Sequence, residues 1–141
     1  MTTSDDRRYM GAALALSERG RARTVPNPNV GCIIVARGTV VGRGWTQAGG
    51  RPHAEAMALA QAGELARGAT AYVTLEPCAM CAGAMVNARL PRVVYGTADP
   101  KAGAVDSHFH LLDGAVLNHQ VDVVADVDAV RCGDLLRAFF R

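Results

Sequence analysis

Short apolar runs alternate with helix-forming stretches along most of this chain, and that alternation limits the folds open to it. Val30-Gly31-Cys32-Ile33-Ile34-Val35 is a continuous apolar run of strand length, the pattern of a strand buried on both faces. Arg37-Gly38 supplies a tight turn into Thr39–Trp45, so the two segments predict a hairpin. A Gly-rich loop over 47–52 leads into His53–Ala66, whose Ala, Leu, Met and Glu content predicts a helix. Strands at Ala69–Leu75 and Arg92–Gly96 flank a helix over Cys78–Ala88. Val121–Ala125 is a fifth strand and Asp128–Phe140 a closing helix. At the front, Ser4 before Asp5 and Asp6 reads as a cap opening a helix over 4–19 that Gly20 ends.

Strands separated by helices after an initial hairpin predict an α/β sandwich with parallel crossovers and five strands. At 141 residues the chain, 1–141, fits one domain with a real core. Half of it is apolar, a fifth is charged and the net charge is +2, which excludes a protein that coats nucleic acid through overall basicity. The polar first ten residues and the lack of a long apolar stretch predict neither a leader nor a membrane span. A reduced cytoplasmic setting is the expectation, and there a close cysteine pair reads first as metal-binding or redox-active.

Two short motifs carry chemistry: His53-Ala54-Glu55 and Pro77-Cys78-Ala79-Met80-Cys81. Both open predicted helices, where free N–H groups and the positive end of the helix dipole favour thiolate, the form zinc binds. Cys-x-x-Cys spacing sets two sulfurs one helical turn apart. One His and two Cys leave a fourth tetrahedral position for water, the mark of a catalytic rather than a closed structural Zn2+ site. Glu55 follows His53 by two residues and is free to move protons. H-x-E followed by P-C-x-x-C is the signature of zinc nucleobase deaminases. Cys32 and Cys132 lack sequence-near partners and read as buried inert thiols. His108, His110 and His119 fall in an irregular stretch over 97–119, with one helical turn expected near His108–Leu112. They read as loop residues or as closers of a pocket.

On these motifs the chain resembles the cytidine deaminase-like superfamily over essentially its whole length, which implies a three-layer α/β/α fold with a five-stranded mixed sheet. Residues from Thr74 onward (TLEPCAMCAGAMVNARLPRVVYGTADPKAGAVDSHFHLLDGAVLNHQVDVV, ending DLLRAFFR) are similar to bacterial tRNA-specific adenosine deaminases. The front half, with its PNPNVG and GGRPHAEA segments, is more similar to the pyrimidine deaminase domain of riboflavin biosynthesis. The two halves meet in TLEPC, and a hybrid of two lineages, natural or engineered, is the expectation.

The resemblance divides the substrate evidence. Riboflavin-type enzymes carry a longer Gly/Pro-containing segment between the zinc cysteines, where this chain has only Ala79 and Met80. The tRNA enzymes place an Asn after the Gly-Trp of the second strand, where this chain has Thr46, with one hydroxyl for an amide pair. Asn27 or Asn29 would supply an amide to the pocket or brace the Pro-rich turn. Asp99, Lys101, Ser107, Asn118 and His119 match the tRNA enzymes' loops, so the resemblance puts them on the substrate-facing side. Phe139, Phe140 and Arg141 match their closing helix, near the RNA, with core packing the alternative for the two Phe rings. Ending at Arg141 without a basic tail, the chain is expected to hold long RNA modestly and salt-sensitively.

The leading expectation is therefore adenosine deamination in tRNA or another single-stranded nucleic acid, by a homodimer. The alternatives are a small-molecule deaminase (riboflavin-pathway pyrimidine, cytosine or cytidine, guanine) and an inactive zinc scaffold or RNA-binding subunit. Glu55 argues against the last.

Overall fold

The structure, a computed structural model, describes residues 3–113 and 119–140. Helix α1 covers Ser4–Ser17 and a turn of 3-10 helix continues it over Glu18–Gly20. Its cap is Thr3, not Ser4. The Thr3 hydroxyl accepts from the Asp6 amide at 3.1 Å and the Asp6 carboxylate accepts from the Thr3 amide at 3.0 Å, a closed capping box. Ser4, one residue on, has no such reciprocal partner three residues later, because Arg7 cannot accept.

Strand β1 (Gly31–Ala36) and strand β2 (Thr39–Trp45) form the expected antiparallel hairpin, with a register shift between Ile34 and Val35. Helix α2 is shorter than predicted, Ala54–Ala62. Gly63, at φ 54°, breaks it, and Gly63–Ala66 forms a 3-10 turn. Strand β3 (Thr70–Leu75), helix α3 (Ala79–Asn87) and strand β4 (Arg92–Thr97) follow. Strand β5 is three residues, Asp122–Val124, and helix α4 covers Ala129–Phe139. The helical turn expected near His108–Leu112 is absent. That stretch runs in turns, with Leu112 buried beneath them.

The sheet order is β2-β1-β3-β4-β5, and the family-like five-stranded mixed sheet is borne out. β1 runs antiparallel to β2 and β3, while β3, β4 and β5 are mutually parallel. Alternate side chains feed two cores, as a strand buried on both faces requires. Cys32, Ile34, Ala71, Val73, Val93 and Tyr95 face α2 and α3. Ile33, Val35, Tyr72 and Val94 face Met10, Ala13 and Leu14 of α1 and Cys132 of α4. Three layers result, helix pairs on either side of one sheet.

Glycine sets the spacing on one face. A Cβ on Gly42 or Gly44 of β2 would collide with the carbonyl oxygens of Ala58 and Ala54 in α2. The Ala-rich helix therefore lies directly on the strand backbone, which fixes where its first turn starts. Cys32 and Cys132 are each 1% exposed, as expected of inert thiols. Among the described residues, no helix is long and apolar enough to cross a membrane.

Candidate active site

The chemistry-bearing turns both leave the same end of the sheet. β2 ends at Trp45 and a loop carries the chain to His53, whose extended backbone (φ −68°, ψ 158°) precedes α2. β3 ends at Leu75, and Glu76-Pro77 bring Cys78 to the cap position of α3 (φ −78°, ψ 177°). Cys81 lies in the first turn of α3 and is buried. At the start of α3 the amides of Met80 and Cys81 donate to the Cys78 sulfur.

There the Nδ1 of His53 lies 3.7 Å from the Cys78 sulfur and 3.5 Å from the Cys81 sulfur. The three donor atoms lie within 4.8 Å of one another. Tetrahedral zinc with bonds of about 2.0–2.3 Å requires N···S separations of roughly 3.6 Å. The set fits zinc in both donor chemistry and spacing. A hydrogen bond from Cys81 pulls the Cys78 thiol down to about 5, the direction that favours metal binding. The Cys81 thiol, hydrogen-bonded to Cys78 and buried, is pushed up.

Glu55 sits in the first turn of α2, 5% exposed. Burial, above all, pushes its carboxyl up to about 7. A carboxyl poised there can both take and return a proton near neutral pH.

A cavity of about 260 Å³ opens over these residues, with His53, Glu55 and Cys78 at its floor. Pro26, Asn27, Pro28, Val30 and Thr46 form one wall, and Asp99, Lys101, Ala102 and Phe140 the other. The Asn27 amide donates to the Gly50 carbonyl at 2.9 Å, which leaves its own carbonyl for a ligand. The Thr46 hydroxyl accepts from the Val30 amide at 2.9 Å, which leaves one donor and one lone pair on that single atom. Lys101 Nζ stands 5.2 Å from the centre of the Phe140 ring, a cation–π contact at the mouth.

Other expected substrate residues lie elsewhere. Asn29 is buried and donates to the Ser17 carbonyl at 3.2 Å, bracing the Pro-rich turn against α1. Ser107 donates its hydroxyl to Glu76 and does not line the cavity. His119 meets the Leu90 carbonyl at 2.6 Å, before β4 begins. That is the far end of a strand about 20 Å long from the site. Asn118 lies outside the described residues, as does Arg141. His108 meets the Pro100 carbonyl and His110 is exposed, so neither closes the pocket. Phe139 lines a separate groove between α1 and α4.

Glu76 is the residue that the sequence reading missed. It is 2% exposed yet borders the cavity. Its carboxylate accepts from the amides of Asp99, Val105, Asp106 and Ser107 at 2.8–3.1 Å. Burial pushes its carboxyl up, but the Ser107 hydroxyl and these amides outweigh it and hold it down at about 2. A carboxylate inside TLEPC beside a zinc cysteine was the available signal. Its partners were not readable.

The family profile described as the cytidine and deoxycytidylate deaminase zinc-binding region matches residues 3–97. The chain belongs to this family. It is 54% identical over 101 residues to the riboflavin biosynthesis protein RibD of Escherichia coli (strain K12), covering 67% of this chain and 28% of that one. It thus spans less than a third of that relative's length. The chloroplastic riboflavin biosynthesis protein PYRD of Arabidopsis thaliana is 40% identical over 141 residues, 96% of this chain and 32% of that one. Among solved structures, form 2 of Acinetobacter baumannii RibD has a TM-score of 0.84 at 40% identity, covering 95% of this chain and 38% of that one. A tRNA:A34 deaminase, from work on A-to-I editing at the wobble position of transfer RNA, has a TM-score of 0.77 at 32% identity. It covers 91% of this chain and 98% of that one. The family is described by its zinc-binding region, and among the described residues His53, Cys78 and Cys81 form a group that could hold the metal.

Proposed function

We propose that this deaminase hydrolyses the amino group of a small aminopyrimidine of the kind made in riboflavin biosynthesis. The observation that carries the reading is Thr46. The tRNA adenosine deaminases resembled by the back half hold an amide at this position, which both donates to and accepts from the base. Here the hydroxyl already accepts from Val30 and keeps one proton and one lone pair on a single atom, which cannot repeat the two-point pairing of an amide. The facing group is Asn27, in the riboflavin-like PNPNVG segment, with its carbonyl unspent. The identity to RibD-type proteins supports the same choice, so the small-molecule alternative displaces tRNA adenosine as the leading reading.

His53, Cys78 and Cys81 would hold zinc, which would supply Lewis-acid activation of water near neutral pH. Glu55 takes the proton of the attacking water and delivers it to the ring nitrogen beside the amino-bearing carbon. The water oxygen bonds to that carbon. Glu55 then carries the remaining proton of that oxygen to the amine, the C–N bond breaks, a carbonyl forms at the carbon and ammonia leaves. Asn27 and Thr46 orient the ring, and Lys101 at the mouth meets a phosphate carried by the substrate. The free thiols suit a reduced cytoplasm.

A second reading, adenosine in a tRNA loop acted on by a homodimer, is supported by the two-residue spacing between Cys78 and Cys81 and by the 98% coverage of the tRNA:A34 deaminase. These two supports also motivate a hybrid origin, whereas the PYRD match along 96% of the chain favours one lineage. To separate the readings, zinc-loaded protein is given a diaminohydroxyphosphoribosylamino-pyrimidine, free nucleosides and an anticodon stem-loop, with ammonia as the readout. Turnover of the pyrimidine is expected, weakened in Lys101→Ala only when the phosphate is present. Turnover confined to the stem-loop would overturn the proposal in favour of the second reading.

A further inference from the structure

We infer that Glu76 is a positioning residue that sets substrate affinity by holding the cavity's far wall, the segment 97–107 in which Asp99, Lys101 and Ala102 stand. This rests on the cavity being a deaminase pocket, not on the choice of base. The segment leaves β4 at Thr97 and has no helix or strand over 98–107, so no helix or sheet ladder fixes its path there. One buried side chain takes five of the hydrogen bonds that fix its path. The Glu76 carboxylate accepts from the amides of Asp99, Val105, Asp106 and Ser107 and from the Ser107 hydroxyl. These five donors come from both ends of the segment, which closes it into a ring around the charge.

The backbone is shaped to that ring. A Cβ at Gly103 would collide with the Glu76 carboxyl carbon and both of its oxygens. The Gly103 amide bonds the Asp99 carbonyl at 3.0 Å and the Ala104 amide the Pro77 carbonyl at 2.9 Å. Tyr95 on β4 adds a second tether, donating to the Asp106 carboxylate at 2.6 Å. Asp99 in turn accepts from the amides of Lys101 and Ala102, so the wall residues hang from a residue already bound to Glu76. With its oxygens engaged by these donors, Glu76 neither binds substrate nor moves protons. Its effect reaches the ligand through the wall.

The test is Glu76→Gln, which turns one acceptor into a donor facing donors. Zinc content, backbone amide exchange by NMR, and KM and kcat are measured on zinc-loaded protein. We expect full zinc content and exchange at Asp99, Val105, Asp106 and Ser107 faster by about tenfold or more. KM should rise about tenfold, with kcat within about threefold, the mark of lost ground-state and transition-state binding alike. Ser107→Ala removes one donor without disturbing the carboxylate and should move KM the same way by a smaller factor. It carries the test if Glu76→Gln does not fold. Freed amides with KM unmoved would reduce Glu76 to a structural tie, and a collapse of kcat at constant KM would place it in the chemistry. Either result overturns the inference. If the wild-type chain turns over another base, the same ratios are read on that base, so a wrong substrate assignment fails separately.

Discussion

Asp6 and Arg92, 86 residues apart in sequence, meet through paired hydrogen bonds of 2.8 and 2.7 Å. The carboxylate side chain is 2% exposed and the guanidinium side chain 26%. The Tyr72 hydroxyl donates to the same carboxylate at 2.8 Å. This one pair ties the first turn of α1 to the starts of β3 and β4, at the end of the sheet opposite the zinc ligands.

Removing Arg92 would strand the Asp6 charge. Arg92→Leu should lower stability by about 3–5 kcal/mol, because breaking one side of a buried pair leaves an uncompensated charge. Tyr72→Phe, which deletes one hydrogen bond to that charge, should cost about 1.5–3 kcal/mol. Urea unfolding followed by circular dichroism measures both. Equal, small effects would mean that the pair contributes as little as a surface one.

Acid should expose the same pair. The Arg92 guanidinium, opposed by burial and helped by Tyr72 and Thr3, holds the Asp6 carboxyl well below its ordinary 3.8. A depressed folded-state pKa stabilises fully above the unfolded value and is lost as pH falls below it. Stability should therefore drop with falling pH from about 4 downward, and Asp6→Asn should flatten that slope while lowering stability at pH 7. An unchanged slope in Asp6→Asn would assign the acid sensitivity to other carboxylates.

Glu55→Gln should keep zinc and lose about 10²–10⁴ in kcat, the usual contribution of a positioned acid–base group. Cys78→Ala should instead lose metal and thermal stability together, since metal affinity is folding free energy. Metal content with melting temperature separates the two. Near-normal turnover in Glu55→Gln would assign proton transfer to another group.

The candidate group of His53, Cys78 and Cys81 was legible because each motif is local. His53 and Glu55 sit two apart, and Cys78 and Cys81 three apart, so one helix start gathers each pair. The strands were legible too, since both faces are buried and their apolar runs are unbroken. What escaped depends on irregular backbone. Ser107 and His119 were assigned to the pocket by loop resemblance, but the loop turns Ser107 under to Glu76 and leaves His119 at the wrong end of β4. Glu76 escaped because its partners are mostly amides 23–31 residues on, and amides leave no mark in a sequence. Thr3 and Ser4 are equivalent capping residues in the sequence until the reciprocal Asp6 is counted.

Gly44→Ala tests how far the site depends on the hairpin. The new methyl would collide with the Ala54 carbonyl, one residue from His53. We expect a loss of about 1–3 kcal/mol and weaker zinc binding, with no ligand touched. Calorimetric zinc titration reads the second effect, and unchanged affinity would show that the metal turn is independent of β2.

The ring of amides around Glu76 separates two kinds of information. Every residue except proline offers an amide, so the course of segment 97–107 is written largely in groups that substitution does not alter. Lys101 and Ala102, exposed on its cavity side, can then be exchanged without redrawing the wall. A laboratory seeking new substrates would do well to diversify those two positions first and leave Glu76 and Gly103 alone, keeping the frame while varying the lettering.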